Sequence, residues 1–191
     1  MVKRKLGLAL CGSYCTFDKI IPVAEILARK YDMTAIISEN AAKTDTRFGC
    51  AETFVEKLRE ITGKEVILTI GDAEPIGPKK YFDVLAIAPC TGNTLAKIAC
   101  GISDSCVSMA CKSHLRNGNP VVLAISTNDA LGTNAKNIGD LLNRKNVFFV
   151  PFYQDDHVNK PNSLTADLSL LPDAVEAALE RRQIQPVIAG A

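Results

Sequence analysis

The chain has 191 residues, 47% of them apolar, and 22 basic against 21 acidic side chains leave a formal net charge of +1. That length fits one domain with a substantial core, and the charge balance argues against a nucleic-acid surface and against a charged disordered tail. Seven cysteines with no CxxC pair, and two isolated histidines, fit cytoplasmic reduced thiols and no metal site; the apolar run behind Met1-Val2-Lys3-Arg4-Lys5 is too short for a signal segment or a membrane span.

Residues 6–11 form a continuous apolar run that ends at Gly12-Ser13, the pattern of a strand buried on both faces. Helical spacing of apolar residues predicts a helix over 17–31, with Pro22 in its first turns, where a missing N–H costs least. A second strand over 33–37 ends at Ser38, and 40–46 reads as a polar loop. Phe54, Val55, Leu58 and Ile61 predict a helix over 51–61, stopped by Gly63. Residues 66–70 are expected as a third strand, 72–80 as a connection bearing Pro75, Gly77 and Pro78, and 83–88 as a fourth strand. Helices over 93–100 and 104–116 follow, separated by Gly101, with Asp104 as the expected N-cap of the second. A fifth strand over 121–125, a helix over 134–143, a sixth strand over 147–150 and an amphipathic helix over 173–182 complete the chain.

Alternation of apolar strands with helices implies parallel βαβ units joined by right-handed crossovers. The expected fold is therefore α/β, a single Rossmann-like three-layer α/β/α domain over 1–191 with a six-stranded parallel sheet. In such sheets ligands bind outside the carboxyl ends of the strands. Those ends fall at Gly12-Ser13, Ser38, 89–94 and 126–128, all rich in small hydroxyl and amide residues.

The first turn, Gly12-Ser13-Tyr14-Cys15-Thr16, joins a buried strand to a helix, whose N-terminal N–H groups attract an anion. Ser13 and Thr16 add hydroxyl donors. The dinucleotide pattern GxGxxG is absent, which favours one phosphate over a pyrophosphate. A purely local reading stays open: Gly12 turns the chain, Thr16 caps the helix, and Ser38 merely ends a strand.

The segment Ala88-Pro89-Cys90-Thr91-Gly92-Asn93-Thr94-Leu95-Ala96-Lys97-Ile98-Ala99 resembles the Pro-Ala-Ser-Ala-Asn-Thr signature of the homo-oligomeric flavin-containing cysteine decarboxylases, and Gly101-Ile102-Ser103-Asp104 resembles the motif that follows it. Pro89, Asn93 and Thr94 match. The resemblance implies flavin mononucleotide (FMN) as cofactor, held at Gly12, Ser13, Thr16, Ser38, Pro89, Cys90, Thr91, Asn93, Thr94 and Asn128. It also implies a homo-oligomer, a trimer or a multiple of one. Of the family's Pro-x-Met-Asn-x-x-Met-Trp motif, the corresponding stretch 125–132 keeps only Asn128, and the chain has no tryptophan. The histidine that the decarboxylases carry near the third strand is missing; the two present are His114 and His157.

Further stretches, Asn134-Ala135-Lys136-Asn137-Ile138-Gly139, Phe148-Phe149-Val150-Pro151-Phe152 and 154–163, resemble a redox branch of this family that spans essentially the whole chain. That resemblance implies action in sporulating bacteria with a partner protein, the A subunit, which carries a nicotinamide-type Rossmann domain and NADP. On that resemblance the pair is expected to oxidise a dihydropyridine dicarboxylate to pyridine-2,6-dicarboxylate. Alternatives are a scaffold that activates the partner without chemistry of its own, and a flavin-dependent decarboxylase acting alone. Among weaker candidates, His114 with Lys112 and Arg116 reads as a solvated helical face or an anion-binding cluster. Cys90 reads as a packing residue or a reactive thiol, Arg47 as a carboxylate clamp, and 154–163 as a lid or a surface loop.

Overall fold

A computed structural model describes residues 2–189; residue 1 and residues 190–191, the two ends of the expected domain, lie outside the described residues. Strands β1 (Lys5–Leu10), β2 (Asp32–Ile37), β3 (Val84–Cys90), β4 (Val121–Thr127) and β5 (Val147–Phe149) pair in parallel in the order β2-β1-β3-β4-β5. All seven residues of β3 are buried, as are five of the six in β1, the outcome their unbroken apolar runs predict for strands covered on both faces.

The helices are α1 (Phe17–Lys30), α2 (Ala51–Thr62), the short α3 (Ile70–Ala73), α4 (Gly92–Cys100), α5 (Cys106–Leu115), α6 (Ala135–Leu142) and α7 (Leu171–Leu179). Apolar stripes of these helices lie on one continuous core: Phe17, Ile20 and Leu27 from α1, Phe54 and Leu58 from α2, Leu95 and Ile98 from α4. Truncating a fully buried leucine such as Leu8 or Leu85 costs about 2–5 kcal/mol. Gly63 and Gly101 end α2 and α4 in the left-handed region, with φ of +64° and +73°.

Among the described residues the sheet has seven strands, not six, and it is not wholly parallel. The expected third strand over 66–70 shrinks to one bridge, Ile36 to Ile67. Thr69 turns the chain away: its hydroxyl accepts from the Asp72 amide and opens α3. Two short strands absent from the expectation, β6 (Phe152–Tyr153) and β7 (Leu164–Ala166), pair antiparallel, and β7 pairs antiparallel with the carboxyl end of β4 at Ser126 and Thr127. The intervening segment 154–163 is thereby tied to the end of β4 rather than trailing over the surface. Asp104 does not cap α5; its carboxylate pairs with Lys97 at 2.9 Å, and Ser105 caps instead, in a reciprocal box with Ser108. The last helix starts and stops earlier than expected, at Leu171 and Leu179.

Candidate functional site

Two cavities open at the carboxyl ends of β1, β3 and β4, and they share a rim at Gly12 and Thr91. The larger, of about 630 Å³, is lined on one side by Ser38 and Glu39 and on the other by Asn93, Thr94 and Lys97. The smaller, of about 480 Å³, contains Ser13, Thr16, Lys19, Ser126 and Asn128, with Asp155, Lys160 and Ser163 arriving from the β6–β7 connection. Both volumes lie in the range of small-ligand sites.

The smaller cavity holds a cluster of hydroxyls. Ser13 Oγ lies 2.7 Å from Ser126 Oγ and 2.8 Å from Thr16 Oγ1, and Thr16 Oγ1 lies 3.2 Å from Ser126 Oγ. The residue order of β1 and the apolar register of α1 bring Ser13 and Thr16 together in one tight turn. Ser126 comes from β4, two strands away, and the three meet over the turn that follows β3. Thr16 adopts the N-cap position of α1 but makes no side-chain cap bond, so its hydroxyl is spent on this cluster rather than on the helix. Lys19, one helical step from Thr16, adds a cation to the same wall.

The turn after β3 is built by Thr91, not Asn93: the Thr91 hydroxyl accepts from the Thr94 amide and caps α4. Asn93 is left exposed at the cavity, and Thr94 is nearly buried behind it. Gly92 permits a close approach. A Cβ there would stand 2.6 Å from Asn134 Nδ2 and 2.7 Å from Thr127 Oγ1. Pro89 and Cys90 lie inside β3, buried, and line neither cavity. Pro89 follows a cis peptide, and its carbonyl accepts from the Cys11 amide at 3.3 Å, which joins the ends of β3 and β1. Burial pushes the Cys90 thiol well above its ordinary range and Cys11 up to about 11, so both stay protonated packing groups.

Ser38 lines the larger cavity, apart from the hydroxyl cluster; its hydroxyl accepts from the Ala41 amide at 3.4 Å. Asn128, just beyond β4, accepts from Ser163 Oγ at 3.4 Å; Ser163 Oγ also donates to Asp155 at 2.6 Å, and Asp155 faces Lys160 at 3.7 Å. The sequence marks 154–163 only as a lid or a surface loop; it gives Asp155, Lys160 and Ser163 no individual role, because only the β6–β7 pairing carries them to the cavity. Lys19 and Lys97 had a local signal: each stands three or four residues beyond a named turn residue, on the same helical face. His114 is not on a solvated face. It is 1% exposed, its Nε2 is 3.1 Å from the Pro120 carbonyl, and burial pushes its pKa down to about 4. Arg47 stacks over Phe48 at 4.8 Å and lines neither cavity.

The donor set fits a flavin phosphate better in the smaller cavity than in the larger. Three clustered hydroxyls and Lys19 face the former, where Asp155 is offset by Lys160; in the latter Lys97 is taken up by Asp104, which leaves the Glu39 carboxylate. The larger cavity offers Asn93, Thr94 and the small turn residues that a flat polar-edged ring requires.

The sequence and the fold both have known relatives. A profile of the Flavoprotein family matches residues 1–181. The chain is 44% identical to the B subunit of dipicolinate synthase in Bacillus subtilis (strain 168), over 97% of this chain and 93% of that one. It superposes on the crystal structure of the Bacillus halodurans dipicolinate synthase B subunit with a TM-score of 0.90 and 42% identity, covering 99% and 97% of the two chains. DmrB of Burkholderia xenovorans, solved with FMN and described as a cubic cage for redox transfer, shares the fold at a TM-score of 0.68, with 19% identity over 93% and 96% of the chains.

Proposed function

The chain belongs to the Flavoprotein family, and on that premise we propose that it is the flavin-binding subunit of a dipicolinate synthase. It acts with an A subunit that holds NADP, in the cytoplasm of a sporulating cell. The reaction is oxidation of a dihydrodipicolinate-type intermediate to pyridine-2,6-dicarboxylate. The whole chain, 1–191, works as one domain, and copies of it assemble as a trimer or a multiple of one. Sedimentation that shows a stable monomer at micromolar concentration removes the assembly.

The observation that carries the reading is the hydroxyl cluster beside the retained Thr91–Thr94 turn, in a chain 44% identical to a known B subunit. Ser13, Thr16 and Ser126 donate to the phosphate, and Lys19 offsets its charge. Thr91, Asn93 and Thr94 flank the ring; Pro89 and Cys90 act from behind by fixing the strand end. When bound, the flavin supplies an acceptor for a hydride equivalent. The chain's own contribution is orientation: Asn128 and Lys160 on the outer rim take a substrate carboxylate. Asp155 and Ser163 hold Lys160 and Asn128 in place.

No histidine lines either cavity among the described residues. Decarboxylation asks for a positioned acid to reprotonate carbanion character, so the redox reading is better supported than a decarboxylase acting alone. Absorbance of the purified protein and titration with FMN test the cofactor. Saturable binding supports the reading; failure to bind leaves a scaffold for the A subunit.

A further inference from the structure

A third cavity, of about 380 Å³, lies between α4 and α5, away from the shared rim of the other two. Its buried wall is apolar, Ile98 and Cys111 with the half-buried Leu115, and Ile102 stands exposed at its edge. Its rim is cationic. Lys112 and Arg116 come from the end of α5, and Arg144 and Lys145 from the turn after α6. Among the described residues no carboxylate lines this cavity, in a chain whose net charge is only +1. Among those same residues, none of the four cations belongs to an ion pair, although six other basic residues do.

The rim is also held in place by its own contacts. Arg144 donates to the Ile98 and Ala99 carbonyls, both at 2.9 Å, which fixes its guanidinium at the C-terminal end of α4. Lys112 Nζ reaches Ser103 Oγ at 3.2 Å. Ile102, turned outward by the left-handed Gly101, is 48% exposed beside them. An exposed isoleucine and four unpaired cations around an apolar hollow leave two demands unmet: apolar area to cover and negative charge to neutralise.

We infer that this cavity binds a small amphipathic anion, an aromatic or short aliphatic body bearing a carboxylate, sulfonate or phosphate. The volume lies within the range of small-ligand pockets. The body covers Ile102 and Leu115, and the anionic group meets Lys112 and Arg116 at the rim. Arg144, committed to the carbonyls of α4, contributes field more than hydrogen bonds. The site is separate from the flavin reading and does not depend on it.

Two fluorescent probes of one shape test this: 8-anilinonaphthalene-1-sulfonate and the uncharged N-phenyl-1-naphthylamine. The full-length protein, saturated with FMN where it binds, is expected to take the sulfonate at least about tenfold more tightly than the neutral probe, with the preference shrinking as salt rises. The double variant Lys112→Gln/Arg116→Gln loses that preference and keeps the neutral probe. Ile102→Asp weakens both. Lys57→Gln, which removes an exposed cation of α2 outside all three cavities, changes neither. Equal affinity for the two probes, or an undiminished preference in the double variant, overturns the proposal. So does a double variant that alters sedimentation while leaving probe binding intact, since the face is then a contact between protomers.

Discussion

Ser13 and Ser126, 113 residues apart in the chain, share a hydroxyl contact of 2.7 Å. They sit at the carboxyl ends of β1 and β4, which are not neighbours in the sheet; β3 runs between them. The contact therefore spans the end of β3, and everything that the β3 turn presents lies beneath or beside it. That geometry makes one polar patch out of three separate strand ends.

The patch is expected to hold the FMN phosphate. Ser13→Asp places an anion in it and is predicted to weaken FMN binding at least about tenfold, the cost of replacing a charge-assisted bond by repulsion. Ser126→Ala removes one hydroxyl of three and is predicted to weaken it by only about fivefold. Fluorescence titration of FMN checks both. Unchanged affinity in Ser13→Asp removes the phosphate from this turn.

Gly92 supports the patch from below. Asn134, which its Cβ would strike, is pinned by Asp129 and Asn137, and Thr127 is held in β4. Neither can yield freely, so Gly92→Ala is predicted to cost about 1–3 kcal/mol and to lower FMN affinity as well. Urea unfolding measures the first effect; an unchanged midpoint shows that the turn accommodates a methyl group.

Stability should fall between pH 6.5 and 4 through His114. Its folded pKa is depressed by burial to about 4, below the ordinary 6.5, so the unfolded chain binds the proton more readily. The neutral form's advantage is complete above pH 6.5 and is lost as pH falls toward 4. Moving from pH 7 to pH 5 is predicted to remove about 2 kcal/mol. In His114→Gln, where the amide can still donate to Pro120, that part of the pH dependence disappears. The same loss in the variant assigns it to other groups.

Asn128→Leu is predicted to lower turnover by the two-subunit enzyme roughly tenfold without unfolding the chain, because the side chain lies beyond the end of β4 and outside the core. Ser163→Ala, which frees Asn128 and Asp155 from each other, should give a smaller loss. Steady-state rates with circular dichroism as a fold control separate the cases. Full activity in Asn128→Leu takes that residue out of the site.

The parallel core was legible because β1, β3 and β4 are unbroken apolar runs, and only burial on both faces asks for those. The turns at Gly12-Ser13 and Thr91–Thr94 were legible because their chemistry is local. Other features were decided by pairings that no local pattern encodes. Residues 66–70 carry strand-like residues, yet Thr69 caps a helix there. β6 and β7 are too short to announce themselves, and with them went Lys160 and Ser163. His114 sits among polar neighbours in the sequence, but its ring faces inward to the Pro120 carbonyl. Pro89 carried a family resemblance and Cys90 stood next to it, and both side chains pack within β3 rather than at a cavity wall.

Reconstitution tests the flavin-dependent partnership most directly. Turnover of dihydrodipicolinate by the A subunit is to be measured with and without this chain, and each mixture with and without added FMN. The prediction is that dipicolinate forms rapidly only when both proteins and FMN are present, and that this chain alone forms none. Full turnover with both proteins in a mixture stripped of flavin, or by the partner without this chain, would contradict it.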